Sequence, residues 1–234
     1  MIATHLQYDK GYTVYEALIV VNGEIPHPSA WRDLSYRTLI CTDGAANFLI
    51  QTAITPDIII GDMDSIAVDA QFATANLLQK QFPATQIEQI YDQYLTDFEK
   101  ALDFVQHNAI QNILCVGALG KAADHMLYNL SLIARCQTKL NIMLLNVFDN
   151  EYQWIFLLKP EMCISTTPGT TISFYPFSAA TLSTQGLRWD LNKRQLTQVG
   201  PGAIRNKVLK EQFSVQSEGI IFCFVISETP PILA

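Results

Sequence analysis

The stretch Asp57-Ile58-Ile59-Ile60-Gly61-Asp62-Met63-Asp64-Ser65 sets an uninterrupted apolar run directly against two carboxylates one residue apart. Such a run reads as a short buried strand, and the acidic pair then projects from its carboxyl end, where open α/β sheets place their ligands. Neighbouring carboxylates repel each other, so a positive group belongs between them. The four histidines and five cysteines are scattered and form no metal-type cluster, which leaves Mg2+ carrying a phosphate as the candidate. Taken alone, Asp62-x-Asp64-Ser65 also reads as a turn with a helix cap.

Outward from this stretch, short apolar runs alternate with longer amphipathic segments. Residues 17–21, 38–41, 58–60, 85–90, 113–116 and 142–145 read as buried strands, and residues 45–51, 67–81, 98–107 and 125–136 as helices. This βαβ alternation predicts a mostly parallel sheet flanked by helices. The clearest helix follows Thr96: Glu99 lies three residues on as a capping box, and Phe98, Ala101, Leu102 and Val105 recur at helical spacing. After about Asn150 the helical period is lost. Strand-like runs at 152–158, 170–175, 181–187, 212–215 and 219–226, broken by Pro160, Pro168-Gly169, Pro176 and Pro201-Gly202, predict an all-β sandwich. The expected fold is therefore α/β over residues 1–148 and β-sandwich over 149–234.

Composition narrows the function classes. The 234 residues are 49% hydrophobic and 16% charged, enough for a substantial core, and the net charge of −7 argues against a nucleic-acid groove. No apolar run of membrane-spanning length occurs, and residues 1–10 contain no signal-type apolar region. Cys41, Cys115 and Cys223 fall inside strand-like runs; with Cys136 and Cys163 they suggest free thiols and a cytoplasmic location.

Three further strand ends carry acidic residues. Asp92 precedes Thr96-Asp97, where Asp97 also suits the first turn of a helix, whereas Asp92 has no capping role in the sequence. The segment Gly117-Ala118-Leu119-Gly120-Lys121-Ala122-Ala123-Asp124 joins strand to helix but is no P-loop, because Cys115 and Ala122 occupy required Gly and Ser/Thr positions. Glycine-bearing turns of this kind, including Thr42-Asp43-Gly44, still bring backbone N–H groups to an anion. Carboxylates at four strand ends (Asp43, Asp62/Asp64, Asp92/Asp97 and Asp124) exceed what capping accounts for and point to a magnesium–triphosphate site. In the β region, Trp189 reads either as a core aromatic or as a stacking platform, and Arg205-Asn206-Lys207 as a solvated turn.

In this order the motifs T-D-G-A-A-N (42–47), G-D-M-D-S (61–65), D-Q-x-x-T-D-F-x-K-A-L (92–102), G-A-x-G-x-x-x-D-H (117–125), P-G-T-T-I-S-F-Y-P (168–176) and G-L-R-W-D-L (186–191) resemble the thiamine pyrophosphokinase family over nearly the whole chain. The resemblance implies diphosphate transfer from ATP to the hydroxyl of thiamine, giving thiamine diphosphate and AMP, in a homodimer with intersubunit active sites. By the same resemblance, Asp62, Asp64 and Asp92 are the expected metal ligands, with Asp62, Asp64, Asp97 and Asp124 around the reacting groups. Asp43, Gly44, Asp92, Lys100, Gly117 and Lys121 are expected at ATP and its phosphates, and Gln93, Thr96, Trp189 and Asn206 at thiamine, with Trp189 stacked on its pyrimidine ring. Nucleic acid and membrane are not expected partners. The chain departs from the family pattern at Tyr94-Leu95, at Lys121-Ala122-Ala123, where an Arg is usual, and at Arg205. The competing readings are a non-catalytic nucleotide- or thiamine-binding homologue and a pyrophosphokinase for another heteroaromatic alcohol.

Overall fold

Runs of β-branched and aliphatic residues buried on both faces build the first unit. In the computed structural model, which describes residues 14–65, 75–200 and 202–234, this unit runs from Val14 to Ile142. Its elements are β1 (Tyr15–Val20), β2 (Tyr36–Thr42), α1 (Asp43–Gln51), β3 (Ile58–Gly61), α2 (Ala75–Gln81), β4 (Gln86–Gln89), α3 (Asp97–His107), β5 (Asn112–Val116) and α4 (Ala123–Cys136). The strands pair in parallel in the order β5-β1-β2-β3-β4. Every residue of β3 is buried, as are nearly all of β1 and β5, which a sheet covered on both faces requires. The helix expected over 67–81 is described from Ala75 onward; residues 66–74 lie outside the described residues.

α3 follows from its sequence. Phe98, Ala101, Leu102 and Val105 are buried along one stripe, and Thr96 Oγ1 accepts the Glu99 amide at 3.3 Å as N-cap. Only that half of the expected capping box forms, because the Glu99 carboxylate turns to α4 instead of back to Thr96.

The second unit, Met143–Ala234, is all-β. Its strands are β6 (Asn141–Phe148, whose first two residues belong to the first unit), β7 (Glu151–Leu157), β8 (Glu161–Ser165), β9 (Thr171–Pro176), β10 (Ala180–Gln185), β11 (Arg194–Leu196), β12 (Ala203–Lys207), β13 (Gln212–Glu218), β14 (Ile221–Ile226) and β15 (Ile232–Leu233). They form two antiparallel arrays, β12-β9-β14-β7-β6 and β11-β10-β13-β8-β15. Strand β13 shows the alternation that identifies a half-buried strand: Phe213, Val215 and Ser217 point inward while Gln212, Gln216 and Glu218 face solvent. Arg205-Asn206-Lys207 is part of β12 and not a solvated turn. A register shift between Ala203 and Asn206, with Arg205 left-handed (φ 56), breaks the strand pattern there and hides it from a periodicity argument.

The five cysteines are unpaired, and burial pushes the thiols of Cys41, Cys115 and Cys223 up, which makes them inert core residues. Removing the α3 cap by Thr96→Ala should lower the unfolding free energy by about 1 kcal/mol. Urea denaturation reads this directly, and an unchanged midpoint would refute the cap.

Candidate active site

Asp43 anchors the site. As the first residue of α1 it follows β2 directly and is fully buried. The Gly44 amide donates to its Oδ1, and the Met63 amide donates to its Oδ2 at 3.0 Å. Met63 is held in the left-handed region (φ 71), a conformation that costs a non-glycine residue on the order of 1 kcal/mol or more. Gly61 is required for a separate reason: a Cβ there would lie 2.6 Å from Asp43 Cγ. The turn after β3 is thus wrapped tightly around the Asp43 carboxylate.

That wrapping brings Asp43, Asp62 and Asp64 together, with one carboxylate oxygen from each lying within 4.8 Å of the others. Asp62 is half-buried and Asp64 exposed, so the group opens toward solvent on one side. Gln93 donates to Asp62 Oδ2 at 2.7 Å, and the Asp64 amide donates to Asp62 Oδ1 at 3.2 Å. The Lys100 side chain is only 2% exposed; its Nζ lies 3.0 Å from Asp97 Oδ1 and 3.8 Å from Asp62 Oδ2. An ammonium this deeply buried is tolerated because carboxylates surround it.

The charges of the cluster are coupled. Burial, the charge of Asp97 and a side-chain hydrogen bond with Asp97 push Asp43 up to about 7, against the opposing Gly44 amide and with a further push from Asp62. Burial also raises Asp62, but the Asp64 amide, the Gln93 side chain, the Asp64 side chain and Lys100 outweigh it and hold Asp62 below the usual carboxylate range. An all-oxygen donor set of this kind suits a hard cation such as Mg2+.

Other residues singled out in the sequence lie elsewhere. Asp92 Oδ1 accepts the Tyr94 amide at 2.8 Å, a local turn that supplies the structural role its sequence lacked, and Asp92 does not belong to the triplet. Asp124 is exposed in the first turn of α4. The reason is sheet order. The ends of β2, β3 and β4 are consecutive, whereas β1 separates β5 from β2, so the β5–α4 loop sits about 10 Å from the end of β2.

That loop takes part in a second feature. In the strand order, β1 to β4 run one way and β5 returns to the other side of β1, so the topological switch point lies between β1 and β5. A cleft of about 490 Å³ lies there, lined by Asn22, Gly23, Gly44, Asn47, Phe48 and Lys121 among others. Lys121 Nζ donates to the backbone oxygen (3.0 Å) and side-chain oxygen (2.9 Å) of Asn22. Gly117 is left-handed (φ 72), and a Cβ there would meet the Val21 carbonyl oxygen at 2.2 Å. Gly44 and Asn47 link the cleft to the carboxylates, since Gly44 adjoins Asp43 and Asn47 Nδ2 donates to the Ser65 carbonyl at 2.9 Å.

In the second unit, Trp189 is 56% exposed, unlike the buried Trp31 and Trp154. The buried Asn206 accepts the Trp189 amide at 3.2 Å and donates to its carbonyl at 2.7 Å. Asp190 accepts the Gly186 and Leu187 amides, which closes the turn, and the Arg188 guanidinium lies 4.9 Å from the Trp189 ring centroid. Asn206 therefore holds the platform through backbone hydrogen bonds.

The thiamin pyrophosphokinase catalytic-domain model matches residues 29–144, and the thiamin pyrophosphokinase vitamin B1 binding-domain model matches residues 161–220, together well over half of the chain. The chain belongs to the thiamin pyrophosphokinase family. Thiamine pyrophosphokinases 1 and 2 of Arabidopsis thaliana are 27% and 28% identical to it over 232 residues, covering 86% of this chain and 82% of theirs. The crystal structure of thiamine pyrophosphokinase from Bacillus subtilis superposes with a TM-score of 0.72 at 25% identity, covering 90% of this chain and 98% of that one. The enzyme from Candida albicans, at 19% identity and a TM-score of 0.74, shares the fold.

Within this thiamin pyrophosphokinase family member, Asp43 and Lys100, both expected at phosphate, lie at the carboxylate centre: Asp43 completes the triplet and Lys100 faces Asp62 and Asp97. Asn22 was not singled out, and its only signal is its place just after β1. Because Asp43 binds its proton more tightly folded than unfolded, its contribution to stability is complete below about pH 3.8 and is lost as pH rises to about 7. The metal-free protein should therefore lose thermal stability between pH 5 and pH 7.5, and Asp43→Asn should flatten that slope. Calorimetric melts in chelator test it; equal slopes for the two proteins would refute the assignment.

Proposed function

We propose that the chain transfers a diphosphate group from ATP to the hydroxyl of thiamine, releasing AMP. The observation that carries this reading is the carboxylate triplet Asp43, Asp62 and Asp64, balanced by buried Lys100 and joined to a cleft at the switch point of the sheet. Asp43, Asp62 and Asp64 would hold Mg2+, which when bound would screen the phosphate charge. The chain's own residues position and balance charge, which is most of what phosphoryl transfer demands of a protein. Gln93 and the Asp64 amide fix the orientation of Asp62, and Lys100 offsets the excess negative charge that Asp97 and Asp62 bring.

The cleft beside Asn22, Phe48 and Lys121 suits the nucleoside end of ATP, with Gly44 leading from it toward the carboxylates. Trp189 supplies a flat face for the thiamine pyrimidine, held rigid by Asn206. Orienting the thiamine hydroxyl falls to Asp97 or Asp124: Asp97 already pairs with Lys100, and Asp124 is exposed in the first turn of α4. A homodimer and a cytoplasmic location complete the reading, the second supported by five unpaired cysteines.

AMP release from ATP should require both thiamine and a divalent cation; ADP release would replace the diphosphotransferase with an ordinary kinase. Asp64→Asn should lower kcat by about a hundredfold or more, and an unaffected rate would remove Asp64 from the site. Trp189→Ala should raise the KM for thiamine by about tenfold, the scale of one lost aromatic face, with little change in the KM for ATP. Sedimentation velocity tests the dimer.

A further inference from the structure

Among the described residues, the buried charged side chains are Asp43, Glu99 and Lys100. Asp43 and Lys100 belong to the carboxylate centre, and Glu99 does not. It adjoins Lys100 in the first turn of α3, about 100° further round the helix. Its carboxylate faces α4, where Arg135 donates to Oε1 and the Tyr128 hydroxyl donates to Oε2 at 3.0 Å. Arg135 is 60% exposed, and a pair between two such residues would contribute little. Glu99 is only 8% exposed, so this carboxylate depends on its two partners.

We propose that Glu99, Arg135 and Tyr128 are positioning residues that fix the rotation of α3 about its axis and so hold the Lys100 ammonium, together with its helix neighbour Asp97, against Asp62. The first turn of α3 is gripped on two sides. The Glu99 amide bonds Thr96 Oγ1 and the Lys100 amide bonds the Thr96 carbonyl at 2.9 Å, while the two side chains reach α4 and the carboxylate centre respectively. A side-chain tip about 7 Å from a helix axis moves roughly 1 Å for a rotation of about 10°. Lys100 and Asp97 both lie on α3 and would move together, so that movement would change the 3.8 Å separation between Lys100 Nζ and Asp62 Oδ2, which belongs to the turn after β3. Removing Arg135 leaves the Glu99 carboxylate under-partnered in a buried setting, and turning it toward solvent rotates Lys100 with it. The fork of Arg135, unlike an ammonium, sets direction as well as charge.

The inference rests on reading the carboxylates as a metal centre, so its test includes an arm that needs no metal. Mn2+ titrated into the full chain and followed by electron paramagnetic resonance should bind about tenfold more weakly to Arg135→Met, the scale expected when a group supporting metal ligands is lost. Arg135→Lys should recover part of that loss, and Tyr128→Phe, the gentler change, should show a smaller loss in the same direction. In a Lys100→Met background, Arg135→Met should bring no further loss. Unchanged Mn2+ affinity in Arg135→Met and Tyr128→Phe despite lower melting temperatures, or independent losses in the double variant, would overturn the proposal. If the wild-type chain binds no Mn2+, the metal-centre reading falls by itself. The same double-mutant cycle read from urea unfolding constants then decides: effects of Arg135→Met and Lys100→Met that multiply within about twofold overturn the positioning role, and a larger departure supports it.

Discussion

Carboxylates at the ends of neighbouring strands repel one another, and much of the first unit is arranged to make that repulsion tolerable. Asp43 is fully buried and carries two backbone amides, one of them from a left-handed Met63. Burial first, and then the nearby charge of Asp97, push the pKa of Asp43 up to about 7. Lys100 supplies the compensating charge from within the core, 3.0 Å from Asp97 and 3.8 Å from Asp62. Gly61 lacks a side chain because Asp43 occupies the space a Cβ would need. A centre with this much unrelieved negative charge is poised to accept a cation, and a cation there can carry a polyphosphate.

Sheet order turns the arrangement into a site with direction. The acidic residues follow β2, β3 and β4, which are adjacent, while the cleft lies at the β1/β5 switch point on the other side of Asp43. A nucleotide spanning the two regions would lie across the carboxyl ends of the strands with its phosphates toward the carboxylates. In the β unit, Trp189 gains its rigidity from a neighbouring strand: Asn206 bonds both its amide and its carbonyl, and Asp190 closes the turn around it. The two family models fall on residues 29–144 and 161–220, one named as a catalytic domain and one as a vitamin B1 binding domain.

Some of this was legible from residue order. Ile58–Ile60 with Gly61-Asp62-Met63-Asp64 identified a strand end bearing charge, and the 3.6-residue stripe of Phe98, Ala101, Leu102 and Val105 identified α3. The short strands Glu161–Ser165, Arg194–Leu196 and Ile232–Leu233 were not legible, since so few residues establish no alternation. The bulge at Arg205 concealed β12 by interrupting its period. The hydrogen bond from the Tyr94 amide to Asp92 was not legible either, because a backbone donor leaves no side-chain pattern.

Sequence by itself determined which groups sit at strand ends, since that depends only on local runs and the residues that end them. It also determined the family, through the order of six motifs along the chain. Tertiary structure alone decided which of those groups meet. Asp43 joins Asp62 and Asp64 because β2 and β3 are neighbours, and Asp124 stays apart because β1 intervenes. The partners of Lys100 were likewise a matter of packing: a lysine one helical turn past Thr96 reads as a counter-charge for phosphate, and only the fold shows it buried against Asp97 and Asp62. Coulomb energy depends on distance and burial, and neither is written in the order of residues.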